Sequence, residues 1–336
     1  MKRTRHEPLE TYLKKIEAAN HFKDLVEPTD DVAKMYKRYA RIVHPDVVPE
    51  EYKKRATAAI AKLNQLYMSL TKAAAPVQCV IAGYVVTNPF ARGDIADLYE
   101  AEHESGLAHI VKIVRKPVDN DLMDREAAAL AKLKPKGKSD NFHKYLPQLQ
   151  VRTKASGRRT NIFCKDTGYQ PLDFIQERCG GSIEDFRHIV WMGNRALSAL
   201  GYVHTCGIVH GAVVPSHLLY SLPDHGLKLI DWCYSCDLGN GDRVPAIVKD
   251  FKDLYAPEIL KKKPASPSTD LFMLMASLRK VAGKVPSRFR DLMNWCMAGP
   301  PSSRPHDAWA IQDRWIKLAR EEYGPAKFVE LHINNK

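Results

Sequence analysis

The sequence of 336 residues has no long apolar run. No segment approaches the roughly 18 consecutive apolar residues that a membrane-spanning helix requires. The first residues, MKRTRHEPLE, are basic, but no apolar stretch follows them, so a signal peptide is not predicted either. We therefore expect a soluble, cytoplasmic protein without a membrane span.

The sequence also lacks paired cysteine spacing. Its seven cysteines are scattered and odd in number, which fits a reducing compartment. Cys233 and Cys236 form a CxxC with His210 and His217 upstream, but the second CxxC or HxxxH that usually completes a zinc site is missing. Free thiols are therefore favoured over a zinc site.

Acidic residues are in deficit, with 39 acids against 51 lysines and arginines and a net charge of +12. Such a charge permits nucleic acid, anionic lipid or an acidic protein surface as a partner without choosing among them. The lysine runs at 134–138 and 261–263 have no aromatic residues between them, so they are interpreted as solvated faces. Nucleic-acid binding is not expected.

The length exceeds what one ordinary domain needs, and composition places the boundary. Helical apolar spacing ends near TKAAAPVQ, and strand-like alternation follows. We predict a helical domain at 1–72, a linker at 73–79, a larger domain at 80–320 and a C-terminal tail at 321–336.

The first domain is predicted to contain three amphipathic helices, at 7–25, 31–43 and 50–70. Basic residues lie on one side of the second helix: Lys34, Lys37, Arg38 and Arg41. The loop after this helix carries His44-Pro45-Asp46, in which the proline disfavours helical geometry in the residue before it. The plainest interpretation is a two-helix hairpin with a solvated basic face and a turn.

With FKDL at 22–25 and KLNQLY at 62–67, the segment from about residue 20 to 70 resembles a J-domain of DnaJ-type cochaperones. The resemblance implies binding to the ATPase domain of a DnaK-type chaperone and delivery of a client protein whose identity is unknown. His44 and Asp46 would couple binding to ATP hydrolysis, on a backbone stiffened by Pro45. The basic helix would attract and orient an acidic chaperone surface.

The larger domain has a series of motifs in a distinctive order. ARGDIADLYEA holds Gly93 in a strand-turn-strand pattern, HIVKIVRKP is an apolar strand containing Lys112, and a predicted helix with Glu126 follows. Further on, LKLIDWC places Asp231 after an apolar strand. In isolation, Lys112 could be an exposed strand lysine and Asp231 a turn residue.

This order resembles a protein kinase fold over about Cys79 to Leu318. The expected fold class is therefore α+β: a small all-α J-domain followed by a bilobal kinase-like domain with a β-rich N-lobe and an α-helical C-lobe. The resemblance implies that Gly93, Lys112, Glu126 and Asp231 bind the cofactor ATP with Mg²⁺. APE at 256–258, Asp270 and Arg304, the expected partner of Glu258, are scaffold residues in that family.

The catalytic-loop-like segment, HGAVVPSH, departs from the kinase pattern. His210 is present, but Gly211 replaces an arginine and Ala212 stands in the position of the catalytic aspartate. An alanine methyl cannot accept a proton, so ordinary phosphotransfer should be severely impaired. His217 stands in the place of a metal-binding asparagine and, with Asp231, is the expected metal ligand, although imidazole suits Mg²⁺ poorly.

Three interpretations of this domain stay open at the level of sequence. The preferred one is a nucleotide-binding or scaffolding pseudokinase, which is not an enzyme and which supports the cochaperone function. The alternatives are ATP-using enzymes, either a nucleotidyl (AMP) transferase or a protein kinase in which another residue replaces the aspartate. The HGAxxPxH form also resembles a variant of bacterial and phage J-domain proteins with kinase-like tails.

Overall fold

The structure is a computed structural model that describes residues 7–27, 32–45, 47–73, 79–133 and 141–333. Internal contacts divide the chain into two compact units, Met1–Cys79 and Val80–Lys336. All seven cysteines are free thiols, in keeping with the sequence prediction. No helix in the described ranges is both long and apolar enough to cross a membrane.

The first unit consists of helices and short 3₁₀ turns. The helices are α1 (Glu7–Ala18), α2 (Val32–Ile42) and α3 (Lys53–Ala73), and the turns are Phe22–Leu25 and Glu50–Tyr52. The prediction of one continuous helix over 7–25 was wrong beyond Ala18. Asp24 Oδ2 accepts hydrogen bonds from the backbone N–H groups of Asn20 and His21, which stops the first helix and starts a separate turn.

The three helices of this unit bury one shared apolar core. Leu13, Ile16, Phe22, Val43 and Leu63 are almost completely buried in it. These are residues at helical spacing in the sequence, so burial of their apolar area explains why short helices of modest propensity are stable here.

The second unit begins with a six-stranded sheet in the order β1-β2-β3-β4-β6-β5. Its strands are β1 (Cys79–Ile81), β2 (Tyr84–Arg92), β3 (Ala96–Glu102), β4 (Ala108–Val114), β5 (Leu149–Ala155) and β6 (Arg158–Cys164). Pairing is antiparallel from β2 onward, and helix α4 (Asn120–Lys132) packs on the sheet. The sheet places Lys112 on its central strand β4.

The rest of the second unit is mainly helical. Its helices are α5 (Leu172–Arg178), α6 (Phe186–Thr205), α7 (Pro257–Leu260), α8 (Pro267–Val281), α9 (Ser287–Cys296) and α10 (Ala308–Tyr323). Short strands lie between them: β7 (Gln170–Pro171), β8 (Ile208–Val209), β9 (Leu218–Ser221), β10 (Gly226–Leu229) and β11 (Cys236–Asp237). The long buried helix α6 leads through β8 into the segment that begins at His210, as predicted.

Candidate functional site

A buried lysine forms the centre of the candidate site. Nζ of Lys112 on β4 lies 2.9 Å from Glu126 Oε1 on α4 and 2.9 Å from Asp231 Oδ1, just after β10. The side chains of Lys112 and Glu126 are only 7% and 2% exposed, so both charges are removed from water and stabilise each other. The structure thus brings together three residues that the sequence singled out separately.

The charge pairing determines the ionisation of this group. Burial opposes a charge on Lys112, but the nearby anionic groups, led by Asp231, outweigh it and raise the pKa of Lys112 well above its ordinary value. Burial likewise opposes ionisation of Asp231, but the positive charge of Lys112 outweighs it and holds the pKa of Asp231 well below its ordinary value. The site is therefore a charged lysine between two carboxylates.

Two further side chains complete the surroundings of Lys112, and sequence reasoning missed the role of both. Asn161 on β6 donates to Glu126 Oε2 at 2.8 Å and to the Met123 carbonyl at 3.1 Å, which fixes the glutamate. Cys233 Sγ lies 3.2 Å from Lys112 Nζ, and burial raises the pKa of this thiol. Asn161 was detectable only as a polar residue within an apolar strand.

Glu126, Asp231 and Cys233 also offer metal-ligand atoms within 4.8 Å of one another. The Lys112 ammonium lies within hydrogen-bonding distance of all three residues, so this position already holds a cation. A second metal-ligand pair lies on the opposite side of Asp231. His217 Nε2 is 3.5 Å from Asp231 Oδ2, so the two predicted metal ligands do lie together.

Asp231 has a left-handed backbone, with φ 64° and ψ 66°. This conformation is unfavourable for a residue with a side chain and persists only where the surroundings fix it. The next residue, Trp232, is fully buried, and its indole Nε1 donates to the Leu229 carbonyl at 2.9 Å. This anchor keeps the Asp231 carboxylate between Lys112 and His217.

His210 ties the following loop to the strand that leads to Asp231. Its ring Nε2 donates to the Ile230 carbonyl at 2.9 Å, and Asp270 on α8 accepts from the backbone N–H groups of His210 and Gly211. Burial lowers the pKa of His210 to about 4, so the ring is neutral at pH 7. The role of His210 here is structural: its neutral ring hydrogen-bonds the loop to the strand that precedes Asp231.

Gly211 and Ala212 leave the next two positions without functional groups. Gly211 has φ +76°, and a Cβ built there would lie 2.5 Å from the Tyr234 carbonyl oxygen and 2.9 Å from Val244 Cγ2. No arginine fits at this position without a shift of the backbone. Ala212 is completely buried, and a methyl side chain has no atom that could act as a base or form a hydrogen bond.

The hairpin between β2 and β3 contacts the segment after Asp231 through side chains whose role sequence reasoning missed. Arg115 Nη1 donates to the carbonyls of Gly93 at 2.6 Å and Ala96 at 3.1 Å, and Nη2 donates to the carbonyl of Asp94. The Asp94 carboxylate accepts from Tyr234 Oη at 3.2 Å. The predicted phosphate-loop residue Gly93 therefore lies in a clamped turn, and no sequence pattern indicated the clamp.

The predicted scaffold pair is confirmed. Arg304 donates to Glu258 with two nitrogens, at 2.8 and 3.0 Å, and both side chains are buried. This bidentate geometry is the strong form of an arginine–carboxylate pair.

The predicted chaperone-binding residues of the first unit lie on α2 and the loop after it. The side chains of Lys34, Lys37, Arg38 and Arg41 are exposed. His44 is exposed and Pro45 half-buried in the loop that connects α2 with the turn before α3, whereas Asp46 lies outside the described residues. On the packed side of α2, Tyr36 stacks on Tyr67 of α3 with ring centroids 4.2 Å apart.

Comparison with curated proteins finds animal protein kinases, and no family model matches the sequence. The chain is 29% identical over 108 residues to calcium/calmodulin-dependent protein kinase type 1B of Homo sapiens, which is 32% of this chain and 31% of that protein. It is 22% identical over 196 residues to the serine/threonine-protein kinase H1 homolog of Pinctada fucata, covering 57% and 45%. The chain thus spans less than half the length of these relatives.

Solved structures show the same resemblance at the level of the fold. The Mycobacterium tuberculosis PknI kinase domain aligns with a TM-score of 0.56 and 13% identity, over 72% of this chain and 98% of that domain. Another kinase domain aligns with a TM-score of 0.60 and 12% identity, over 71% and 97%. These comparisons give no support to the predicted J-domain or to a bacterial or phage origin. The chain contains a protein-kinase-like fold.

Proposed function

We propose that the second unit binds ATP with a divalent cation and acts as a protein-kinase-like phosphotransferase. The observation that carries this proposal is the placement of Lys112 Nζ at 2.9 Å from both Glu126 and Asp231. A fixed cation beside a fixed carboxylate suits the phosphates of a nucleotide and the metal ion that accompanies them. Asp231 and His217 would hold that metal ion, which would neutralise phosphate charge.

The missing aspartate lowers the expected rate without removing the basis for transfer. Phosphoryl transfer depends mainly on positioning and electrostatic stabilisation, and the charged group around Lys112 supplies both. General-base assistance contributes typically about 10²–10⁴-fold, which sets the expected loss. The terminal phosphoryl group would pass from ATP to an acceptor hydroxyl, ADP would leave, and the hydroxyl proton would go to water.

The relatives support a kinase-like activity over the non-enzymatic pseudokinase that the sequence favoured. Labelled nucleotide separates the alternatives. The full chain is incubated with candidate protein substrates and with ATP labelled at either the α or the γ phosphate, and Asp231→Asn serves as the control. We expect γ label on protein that disappears in Asp231→Asn. Transfer of α label would replace the proposal with nucleotidyl transfer, and ATP binding without transfer of either label would replace it with a binding-only module.

For the first unit we propose binding to a DnaK-type chaperone, and its exposed basic row on α2, which leads directly to His44 and Pro45, supports this. The test is stimulation of a DnaK-type ATPase by the full chain. We expect stimulation by the wild type, its loss in His44→Gln, and stronger salt dependence for wild type than for Arg38→Gln. Lys14→Gln on α1, which is 72% exposed, is the matched control. Equal stimulation by wild type and His44→Gln would refute this role.

A further inference from the structure

The orientation of the His217 ring differs from that of a simple buried histidine. Its Nδ1 lies 2.9 Å from the carbonyl of Ala212, and a carbonyl only accepts, so Nδ1 carries a proton. The other nitrogen, Nε2, faces Asp231 Oδ2 at 3.5 Å. A histidine that binds a metal through one ring nitrogen usually donates its other N–H to a carbonyl, carboxylate or water, as His217 Nδ1 does here.

From this geometry we propose that His217 and Asp231 form a site selective for a divalent transition-metal ion, such as Mn²⁺, over Mg²⁺. The proposal rests on the proposed nucleotide function only for its biological use, since the ion can be tested alone. It differs from the sequence expectation in that the histidine determines which class of ion binds.

The separation of the two donors fits a shared ion. With metal–nitrogen and metal–oxygen bonds of about 2.0–2.2 Å, donors 3.5 Å apart subtend roughly 110° at the ion. Such an angle leaves the remaining positions open to phosphate oxygens or water. Asp231 is oriented for this role because its other oxygen, Oδ1, is held by Lys112 at 2.9 Å.

The ring is also constrained from its sides. The Tyr234 ring lies nearly parallel to the His217 ring at a centroid distance of 6.0 Å, and the His210 ring is 6.1 Å away at a steep angle. His217 itself is buried. A ring fixed in this way presents its Nε2 lone pair without reorganisation, which favours ligation.

The nitrogen donor decides the selectivity. Mg²⁺ demands a near-ideal octahedron of oxygen ligands, whereas imidazole suits first-row transition ions such as Fe²⁺, Ni²⁺ and Zn²⁺; Mn²⁺ is the member of that series that also takes the oxygen ligands of a carboxylate and of phosphates. The competing interpretation is a direct ion pair, in which a doubly protonated His217 donates to Asp231 and no ion binds. The two interpretations make opposite predictions for a metal titration.

The experiment is a Mn²⁺ titration of the full chain by electron paramagnetic resonance, with and without a non-hydrolysable ATP analogue, in competition with Mg²⁺. The bound ion is then examined by electron spin-echo modulation on protein with ¹⁵N-labelled histidine. We expect a nitrogen coupling that changes with the label, Mn²⁺ binding tighter than Mg²⁺, and loss of both the coupling and the preference in His217→Asn. His332→Asn, an exposed histidine of the tail, should behave as wild type.

Bound Mn²⁺ without a histidine coupling, equal affinities for the two ions, or no Mn²⁺ binding in either arm would overturn the proposal. The labelled wild type gives this answer even if His217→Asn does not fold. Mn²⁺ binding through His217 with no effect of the ATP analogue would refute the nucleotide function alone. Tighter Mn²⁺ binding in the presence of the analogue, but without a histidine coupling, would refute the metal preference alone.

Discussion

Two sets of residues that meet at His217 in the kinase-like unit are built on opposite principles. On one side, Lys112, Glu126 and Asp231 are charged, buried and mutually paired at 2.9 Å. On the other side, Gly211 and Ala212 contribute only backbone and a buried methyl. The difference teaches that the residues proposed to hold a nucleotide and the positions at which the kinase pattern handles a proton can be separated within a single fold.

The difference has a physical cause on each side. On the charged side each residue depends on the others, because removal of one member leaves an uncompensated buried charge. The apolar side is closed by packing, because the Tyr234 carbonyl occupies the space next to Gly211 that a side chain would need. Four variants with effects of decreasing size test this contrast.

Replacement of the central lysine should have the largest effect. Lys112→Met would leave Glu126 and Asp231 buried without their cation, and we expect the free energy of unfolding to fall by about 3–5 kcal/mol. Urea denaturation at pH 7 measures it. Lys165→Met, which removes a partly exposed lysine paired with Glu100, is the control and should cost at most about 1 kcal/mol. Similar losses in both variants would contradict the claim that the buried charges around Lys112 depend on one another.

A methyl group at Gly211 should have the next largest effect. Gly211→Ala combines a left-handed backbone with a clash against the Tyr234 carbonyl, so we expect a loss of about 2–4 kcal/mol. The control is Gly241→Ala, which has φ +61° but no atom within 4 Å of the added Cβ, and it should lose only about 1–2 kcal/mol. The comparison uses urea denaturation, and equal losses would show that the Tyr234 carbonyl does not close this side.

Lowering the pH should reduce the free energy of unfolding through His210, because the pKa of His210 falls from an ordinary 6.5 to about 4 on folding. Between these values the unfolded chain binds a proton that the folded chain does not, so stability falls as the pH is lowered through this window. From pH 7 to pH 5 the His210 contribution should be about 2 kcal/mol. The free energy of unfolding of His210→Gln should fall by correspondingly less than that of wild type over this range. An identical pH dependence of the two proteins would refute the role of His210 as a neutral hydrogen-bonding residue.

The smallest effect is expected at the contact between the β2–β3 hairpin and Tyr234. Tyr234→Phe removes one hydrogen bond to Asp94, and Arg115 still clamps the turn, so the loss should be about 1 kcal/mol. A double-mutant cycle with Asp94→Asn measures the coupling of the two side chains. A coupling above about 3 kcal/mol would mean that this contact, rather than Arg115, holds the hairpin closed.

Local sequence patterns predicted most of the helices and strands, and the resemblance to the kinase family predicted the charged group. Periodicity placed Lys112 on a strand and Glu126 on a helix, but their roles and the Glu258–Arg304 pair came from the order of motifs in that resemblance. Asn161, Arg115 and the Tyr234–Asp94 contact were missed. Tyr234 and Asp94 are 140 residues apart, and such a contact leaves no periodic signal in the chain.

The break after α1 was missed for a related reason. Apolar spacing continues through Leu25, but the Asp24 side chain competes for backbone N–H groups and ends the helical hydrogen-bonding pattern. The orientation of His217 was equally beyond sequence reasoning, because it depends on the carbonyl of Ala212, which every residue type would supply.

Calorimetric titration of the full chain with ATP, in the presence of Mg²⁺ or Mn²⁺, tests the central claim most directly. The account predicts saturable binding to one site in the wild type and affinity weaker by at least about tenfold in Asp231→Asn, because a charged ligand contact is lost. The absence of ATP binding with either cation, or equal affinity of the two proteins, would contradict it.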